Sequence, residues 1–240
     1  MSGGHARLGI IGDVHAECAR LEAALEHLIG RGVDAILCTG DLADGKGCVN
    51  RCCALLEAAG VLCVAGNHER WILEDRVRHI PDAHAPEALE ERTRAFLEGL
   101  PATREVATAR GPLLLCHGVG ETDHRKVWPG SPRMSVKRSH ELDALVAENH
   151  YRLIVNGHLH YRMILDFEAL QLVNAGTLKR DHRPGFLEVD LEAGEVAFLG
   201  FGEDLGVHEQ GRHRLDGHDR RVFRDTRCFD GDWTPFPLYG

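Results

Sequence analysis

The sequence predicts an α/β fold in which parallel strands alternate with helices. Three short apolar runs, residues 8–12, 35–39 and 61–65, have the length and composition of buried strands. The two stretches between them, residues 18–29 and 52–59, carry apolar residues at helical spacing. Alternation of this kind is typical of a parallel sheet built by right-handed crossovers. With 240 residues, 43% of them hydrophobic, the chain is long enough for one domain with a full core.

Each of the three N-terminal strands is followed at once by polar residues. The first run leads into Asp13, the second ends at Gly40-Asp41, and the third ends at Gly66-Asn67-His68. In a parallel α/β sheet, ligands bind beyond the carboxyl ends of the strands. We therefore expect the three loops to meet at one edge of the sheet.

The second half of the chain predicts a further set of elements. Residues 86–100 and 142–147 have helical patterns, while residues 112–116 and 152–156 are apolar strands that end at His117 and Gly157. Residues 119–137 show no period and predict a long loop, a kind of segment that often carries function. Four more runs predict antiparallel strands, with a turn at 192–194: residues 163–167, 171–173, 186–189 and 196–199.

Beyond residue 202 the composition shifts to Arg, Asp, His and Gly, and the apolar period disappears. We therefore predict one domain over residues 1–202 and a C-terminal extension over residues 203–240. The extension is expected either to pack on the domain or to be partly disordered.

Composition narrows the classes of protein to consider. No apolar run approaches the ~20 residues that cross a bilayer, and no signal peptide precedes the first strand, so we expect a cytoplasmic protein without a membrane partner. The formal net charge of -9 argues against binding to duplex nucleic acid. The 8 cysteines include no Cys-x-x-Cys pair, and reduced, mostly buried thiols are expected.

Polar clusters at five strand ends indicate a metal centre. They combine carboxylate, amide and imidazole groups, a donor set that suits manganese, iron, zinc or nickel rather than calcium. In an extended segment residues i and i+2 point to the same side, so Asp13 with His15, and His158 with His160, each present two donors in one direction. A single histidine at a strand end is more often a hydrogen-bonded structural residue, but five clusters in this order, each after its own strand, favour metal binding. The clusters are Gly12-Asp13-Val14-His15, Gly40-Asp41, Gly66-Asn67-His68-Glu69, His117-Gly118 and Gly157-His158-Leu159-His160.

In this order the motifs resemble those of the calcineurin-like metallophosphoesterase superfamily, over residues 8–199, and the Gly-His-Leu-His ending is similar to its small bacterial phosphodiesterase branch. The resemblance implies a four-layer α/β/β/α sandwich with two mostly mixed β-sheets. It also implies two divalent metal ions, manganese being expected and iron, zinc or nickel the alternatives. By the resemblance, one ion binds Asp13, His15 and His160, the other binds Asn67, His117 and His158, and Asp41 bridges them.

The resemblance further implies a catalytic pair. In the matching family motif, His68 lies outside the metal ligands and near the leaving-group oxygen, and Asp44 matches the carboxylate that orients this histidine. An imidazole held by a carboxylate has a raised pKa, which favours proton donation. A solvated turn residue is the alternative for Asp44. Gly45 and Lys46 stand where phosphoprotein phosphatases carry Arg-Gly, which argues against a protein phosphatase.

Substrate contacts are expected from two further segments. The turn Asn174-Ala175-Gly176-Thr177 resembles an Asn-x-Gly-Ser/Thr turn of small bacterial phosphodiesterases, and Asn174 is predicted to support His158 or His160 or to contact substrate. A simple turn between strands is the alternative. In the loop over residues 119–137, Trp128 is a candidate to stack on a base. Cationic side chains of the same loop are candidates to bind a phosphate, and a solvated charged surface is the alternative. These residues are Arg125, Lys126, Arg133, Lys137 and Arg138.

The predicted function is that of a dinuclear metal-dependent phosphohydrolase, a phosphodiesterase or phosphatase acting through a metal-bound hydroxide on a small or nucleotide-like phosphoester. A non-catalytic scaffold or binding protein of the same fold is one alternative, although such a protein is expected to lack ligands and none of the seven is missing here. A nuclease that processes nucleic-acid ends is the other. The negative net charge of the protein argues against a nuclease, although a short single-stranded end would still fit into the site.

Overall fold

Two six-stranded sheets form the framework of the fold in the computed structural model, which describes residues 4–218 and 220–233. The last residues of the predicted extension, 234–240, lie outside the described residues. The strands are β1 (Arg7–Ile11), β2 (Ala35–Cys38), β3 (Leu62–Cys63), β4 (Thr103–Thr108), β5 (Gly111–Cys116), β6 (Leu153–Asn156), β7 (Arg162–Phe167), β8 (Gln171–Ala175), β9 (Gly185–Asp190), β10 (Glu195–Phe201), β11 (Val207–Arg214) and β12 (Val222–Phe223). The helices are α1 (Cys18–Arg31), α2 (Val49–Ala58), α3 (Asn67–Leu73), α4 (Glu91–Glu98) and α5 (His140–Glu148).

The first sheet has the order β11-β10-β9-β1-β2-β3. Strands β1, β2 and β3 pair in parallel, as the alternation of strand and helix predicted. Beyond β1 the sheet continues with β9, β10 and β11, all antiparallel. Helix α1 buries its predicted apolar face and ends at Gly32, whose positive φ of 65° lets its N–H bond to the carbonyl of Ile29.

The second sheet has the order β12-β7-β8-β6-β5-β4. Strands β5, β6 and β8 run parallel to one another. Strand β7 pairs antiparallel with β8, as predicted for residues 163–167 and 171–173. Strand β4 was not predicted. It pairs antiparallel with β5, but Val106 is its one buried large apolar residue, so the sequence shows no apolar run there.

The helix predicted over residues 86–100 is wrong as a continuous element. The chain instead forms a short 3-10 helix, Pro86–Ala88, and then α4, with Leu89 and Glu90 extended between them. Asn50 explains the break, because its side chain donates to the carbonyl of Ala88 and accepts from the N–H of Glu90. Those two backbone groups therefore bond to a side chain of α2 instead of to the groups four residues away with which they would pair in a continuous helix.

Three buried apolar clusters separate four layers. One lies between helices α1 and α2 and the first sheet and includes Leu21, Leu56 and Ile11. A second lies between the sheets, where Ile10 and Val155 meet. The third fills the space between the second sheet, α5 and the loop over residues 119–137. The layers therefore follow the order α/β/β/α that the resemblance implied.

The described residues beyond 202 pack along both sheets. Strand β11 lines the free side of β10, and β12 pairs in parallel with β7. The side chains of Leu215, Phe223 and Phe229 are buried. All eight cysteines are free thiols. Among the described residues, no helix is both long enough and apolar enough to cross a membrane.

Candidate metal centre

The seven predicted metal ligands converge on one edge shared by the two sheets. The loops after β1 and β2 carry Asp13 and Asp41, and Asn67 begins α3 directly after β3. The second sheet contributes His117 after β5 and the histidine pair after β6. All of these side chains except His158 and His160 are buried, and those two are half-buried. Residues up to 147 positions apart in the sequence therefore form one polar cluster because parallel strands end at the same edge.

A first group of donors contains Asp13, His15, Asp41 and His160, whose ligand atoms all lie within 4.8 Å of one another. The Oδ2 atom of Asp13 lies 3.2 Å from the Nε2 atom of His160. The Nε2 atoms of His15 and His160 lie 3.0 Å apart. This spacing lets one cation contact all four side chains.

A second group contains Asp41, His117 and His158, again within 4.8 Å. The Oδ2 atom of Asp41 lies 3.3 Å from the Nε2 atom of His117, and the Oδ1 atom of Asn67 lies 3.2 Å from that same nitrogen. The Nε2 atom of His158 is buried without a hydrogen-bond partner in the described part of the chain. An unpaired buried nitrogen is costly, and a cation at this position would satisfy it. Asp41 belongs to both groups, which suits a bridging carboxylate.

Carbonyl groups behind the site fix the orientation of two imidazoles. The Nδ1 atom of His117 donates to the carbonyl of Thr39 over 2.7 Å, and that of His15 faces the carbonyls of Ala43 and Asp44 at 3.1 and 2.9 Å. With the proton on Nδ1, the Nε2 lone pair of each ring faces the cluster. Sequence motifs do not indicate these acceptors, because every residue has a backbone carbonyl.

His182 is a neighbour of the site that sequence reasoning missed. Its Nδ1 atom lies 2.6 Å from the Nδ1 atom of His160, so one of these nitrogens donates to the other and fixes the ring. His182 was assigned to no motif, since it lies 22 residues beyond His160 in a turn without a recognisable pattern.

The fully buried side chain of Glu69 forms hydrogen bonds to two of the loops that carry predicted ligands. Its carboxylate accepts from the backbone N–H groups of Asp41, Leu42 and Gly66 over 2.7 to 2.8 Å. Burial and the nearby charge of Asp41 raise the pKa of Glu69. Glu69 belonged to a predicted motif, but its role as a backbone acceptor was not anticipated.

The backbone is strained at five of the predicted site residues. Each adopts the left-handed conformation that non-glycine residues avoid, at a cost of roughly 1–3 kcal/mol. Hydrogen bonds between the loops hold this conformation in place, for example from the N–H of His158 to both carboxylate oxygens of Asp13. The residues and their φ angles are His15 (46°), Asp41 (48°), Asp44 (63°), His158 (68°) and His160 (60°).

Two glycines allow the ligand loops to approach each other. A Cβ atom on Gly157 would lie 2.1 Å from the Oδ1 atom of Asp13, and one on Gly66 would lie 2.2 Å from the Oδ1 atom of Asp41. Both distances are far inside van der Waals contact. The motif glycines are thus required by packing against the two carboxylates.

The charge state of the cluster suits divalent cations. Burial lowers the pKa of His15 and of His158 to about 4, so both imidazoles are neutral at pH 7. Burial also raises the pKa of Asp41, but the charges of His117 and His68 outweigh it, and the net pKa lies well below the usual range. Burial lowers the pKa of His117, but Asp41 outweighs that and raises it to about 10. Ionised carboxylates beside neutral imidazoles are the forms that bind metals, and a cation at His117 displaces one proton.

The predicted pair of His68 and Asp44 forms a short hydrogen bond. The Nδ1 atom of His68 lies 2.7 Å from the Oδ2 atom of Asp44, and its Nε2 atom lies 3.6 Å from the Oδ2 atom of Asp41. Burial lowers the pKa of His68, but the bond to Asp44 and the charge of Asp41 more than compensate, and the pKa is raised. Asp44 is buried, and its Oδ1 atom accepts from the N–H of His84. It is therefore not a solvated turn residue.

Arg78 is a second neighbour that the sequence did not reveal. Its Nη1 atom lies 3.3 Å from the Nε2 atom of His68, and its guanidinium stacks on the Trp71 ring at 5.1 Å. The loop between α3 and α4 thus places a cation beside the predicted proton donor.

The three predicted substrate-binding residues lie in three different environments. Lys126 lines a cavity of about 810 Å³ beside His158 and His160. Arg125 instead pairs with Glu141 at 2.6 Å and is not brought to that cavity. Asn174 is fully buried and donates to the carbonyl of Gly157 over 2.6 Å, so it supports the loop that carries His158.

Residues 7–194 match the calcineurin-like phosphoesterase superfamily domain. The uncharacterized protein MJ0912 of Methanocaldococcus jannaschii is 23% identical over 128 residues, which are 50% of this chain and 52% of that protein, so the alignment spans about half the length of that relative. A metallophosphoesterase from Sphaerobacter thermophilus has a similar structure, with a TM-score of 0.59 at 21% identity over 87% of this chain and 89% of that one. A Vps29 variant from Entamoeba histolytica has a TM-score of 0.55 at 17% identity, over 88% and 99% of the two chains. The matched residues contain all seven predicted ligands, and the chain belongs to the calcineurin-like phosphoesterase superfamily.

Proposed function

We propose that this chain hydrolyses phosphodiesters with two divalent cations held around Asp41. The proposal depends on one observation: two groups of metal-donor side chains, each buried except for one half-buried histidine, share a single carboxylate at the edge of the sheets. The first cation would be held by Asp13, His15 and His160, and the second by Asn67, His117 and His158. Manganese suits the mixed nitrogen and oxygen donors, with iron, zinc or nickel as alternatives.

The carboxylates of this site carry less negative charge than two bound divalent cations would carry positive charge. Asp13 and Asp41 are the carboxylates of the two donor groups, against about four positive charges on the ions. The excess positive charge attracts an anionic phosphoester. Bound divalent ions supply charge stabilisation for the phosphoryl oxygens and activate a water molecule.

His68 is placed to protonate the leaving group. Its Nδ1 atom is held by Asp44, so the Nε2 atom is fixed toward the donor cluster. Burial lowers the pKa of His68, but the hydrogen bond to Asp44 and the charge of Asp41 outweigh burial and raise the pKa, which favours its role as a proton donor. Arg78 lies beside the same nitrogen, where its charge would stabilise an oxyanion.

A diester is the favoured substrate class for two reasons. The Gly157-His158-Leu159-His160 motif resembles that of the small diesterase branch. In addition, the cavity beside His158 and His160 has room for a substituent that a simple monoester would not fill. A small or nucleotide-like phosphodiester fits both observations.

A non-catalytic scaffold is the rival function, because Vps29 has a similar fold and a fold alone does not determine activity. The complete donor set and the hydrogen-bonded pair of His68 and Asp44 favour the enzyme. A scaffold has no need of a proton donor held 3.6 Å from a metal-binding carboxylate.

The proposal is tested by depleting the purified protein of metal, loading it with manganese and measuring hydrolysis of bis-p-nitrophenyl phosphate. We expect two ions per chain by elemental analysis, with turnover that requires them. Asp41→Asn should lose both metal content and turnover, while Asp204→Asn, in an exposed turn before β11, should retain both. A wild type that binds two ions but is inactive on mono- and diesters would favour the scaffold. Parallel rates on p-nitrophenyl phosphate distinguish a diesterase from a monoesterase.

A further inference from the structure

The cavity beside the metal centre is built from three separate parts of the chain. Its walls come from the loop over residues 126–134, from residues 158–161 that follow β6, and from residues 181–183. Its volume of about 810 Å³ lies within the range of small-molecule sites. The cavity therefore admits a group much larger than the phosphoryl group at the metal centre.

One wall of the cavity is aromatic and rigid. Trp128 is only 3% exposed and packs between Tyr161, at 5.4 Å between ring centroids, and Trp233, at 5.2 Å. Backbone hydrogen bonds between Trp128 and Lys137 hold this part of the loop. Tyr161 is 38% exposed, so its ring, rather than that of Trp128, is the surface on which a planar group can stack.

The same cavity carries an excess of positive charge. Lys126, Arg133 and Arg183 line it, against the single carboxylate of Asp181 among its lining residues. Within the described part of the chain, Lys126 and Arg133 form no ion pair, whereas Arg125 next to Lys126 is paired with Glu141. In a protein whose formal charge is -9, this local excess favours an anionic ligand.

We propose that the cavity binds a nucleotide substituent of the substrate, with the base stacked on Tyr161 and an additional phosphate beside Lys126 and Arg133. An exposed aromatic ring and two cations match the planar base and the anionic phosphate of a nucleotide. The assignment of this nucleotide as part of the substrate rests on the proposed phosphodiesterase activity. Binding to the cavity is independent of turnover.

Calorimetric titrations of the manganese-loaded protein test the proposal with three probes. Ribose 5-phosphate lacks the base, AMP adds it, and adenosine 3′,5′-bisphosphate adds a second phosphate. We expect AMP to bind roughly tenfold more tightly than ribose 5-phosphate, the usual size of one base–aromatic stack. The bisphosphate should bind more tightly than AMP, and the difference should shrink at high salt.

Variants assign each difference to its side chain. Tyr161→Ala should abolish the preference for AMP over ribose 5-phosphate, whereas Tyr161→Phe, which keeps the ring, should retain it. The double variant Lys126→Ala/Arg133→Ala should abolish the preference for the bisphosphate. Lys137→Ala, an exposed change in the same loop outside the cavity lining, should alter neither preference. Thermal melting checks that every variant is folded.

Equal affinity for AMP and ribose 5-phosphate, or an unchanged preference in folded Tyr161→Ala, would overturn the proposal. Hydrolysis of bis-p-nitrophenyl phosphate separates this failure from failure of the proposed function. If the protein turns over this substrate but binds AMP and ribose 5-phosphate equally well, the nucleotide-binding role of the cavity is refuted and the phosphodiesterase activity is not. A base-dependent affinity that Tyr161→Ala removes, in a protein without turnover, refutes the phosphodiesterase and leaves a nucleotide-binding site.

Discussion

Single residues of the candidate metal centre are held by partners on the side away from the donor cluster. His15 and His117 face backbone carbonyls through Nδ1, His160 faces His182, and His68 faces Asp44. Such contacts fix ring orientation and proton position, which are the properties that ligand binding and proton donation require. The orientation of these four histidines therefore depends on residues outside their own motifs.

Asp44→Asn should weaken proton donation by His68, because an amide does not stabilise the imidazolium as a carboxylate does. We expect kcat to fall about tenfold to a hundredfold on diphenyl phosphate, whose leaving group needs a proton. The loss on bis-p-nitrophenyl phosphate should be smaller, since nitrophenolate leaves without one. Steady-state rates of the two substrates measure the effect, and equal losses on both would contradict the assignment of His68 as the acid.

Glu69→Gln tests the buried acceptor that joins the loop after β2 to α3. The substitution keeps the shape of the side chain but turns one acceptor atom into a donor facing backbone N–H groups. We expect a loss of about 1–3 kcal/mol in the free energy of unfolding, measured with urea. Glu57→Gln, whose exposed carboxylate pairs with Arg92, is the control and should change stability by less than about 1 kcal/mol. Equal effects would show that Glu69 has no special structural role.

At the scale of elements, the ends of the strands and the turns that follow them position the site. The parallel strands of both sheets end at a common edge, so the loops that follow them lie close together. Close packing of these loops requires glycine at positions 66 and 157. The helices contribute less directly, through apolar faces that pack against the two sheets.

Gly157→Ala should disrupt the metal centre, because its Cβ atom would lie 2.1 Å from the Oδ1 atom of Asp13 and 2.4 Å from the Oγ1 atom of Thr39. We expect reduced manganese content by elemental analysis and a lower melting temperature. Gly30→Ala is the matched control in α1, where no described heavy atom beyond the adjacent residues and the surrounding helix backbone lies within 4 Å of the added methyl group. That change should stabilise the protein by about 0.5–1 kcal/mol and leave metal content unchanged. Full metal content in Gly157→Ala would contradict the packing argument.

At the scale of the whole molecule, the four layers extend beyond the predicted domain of residues 1–202. Strands β11 and β12 each add to a different sheet, and Phe229 packs against Phe223 at 4.8 Å between ring centroids. The described part of the extension therefore contributes to the same packing as the rest of the chain.

Phe229→Ala should cost about 3–5 kcal/mol in the free energy of unfolding, because the ring is 1% exposed and its removal leaves a cavity. Val222→Ala, at a side chain that is 47% exposed, should change stability by less than about 0.5 kcal/mol. A chain shortened to end at Gly202 should be less stable than Phe229→Ala, since it also loses β11. Urea denaturation of the three proteins is the measurement. A shortened chain as stable as the full one would show that the extension is dispensable.

The sequence by itself predicted the α/β class, the order of most strands and the set of side chains that converge at the candidate metal centre. Those features are local: apolar periodicity reports strands and helices, and a ligand that directly follows a strand needs no knowledge of distant neighbours. Asp13, Asp41 and His117 could be assigned on that basis.

The tertiary structure alone decided which residues surround those ligands. His182 meets His160, Arg78 meets His68, and Glu69 meets the backbone after β2, although none of these contacts has a local sequence pattern. The same is true of β4 and β11, which contain few apolar residues and are strands because each pairs with a neighbouring strand. Contacts between remote segments follow from how whole layers pack, and the periodicity of a single segment carries no record of its partners.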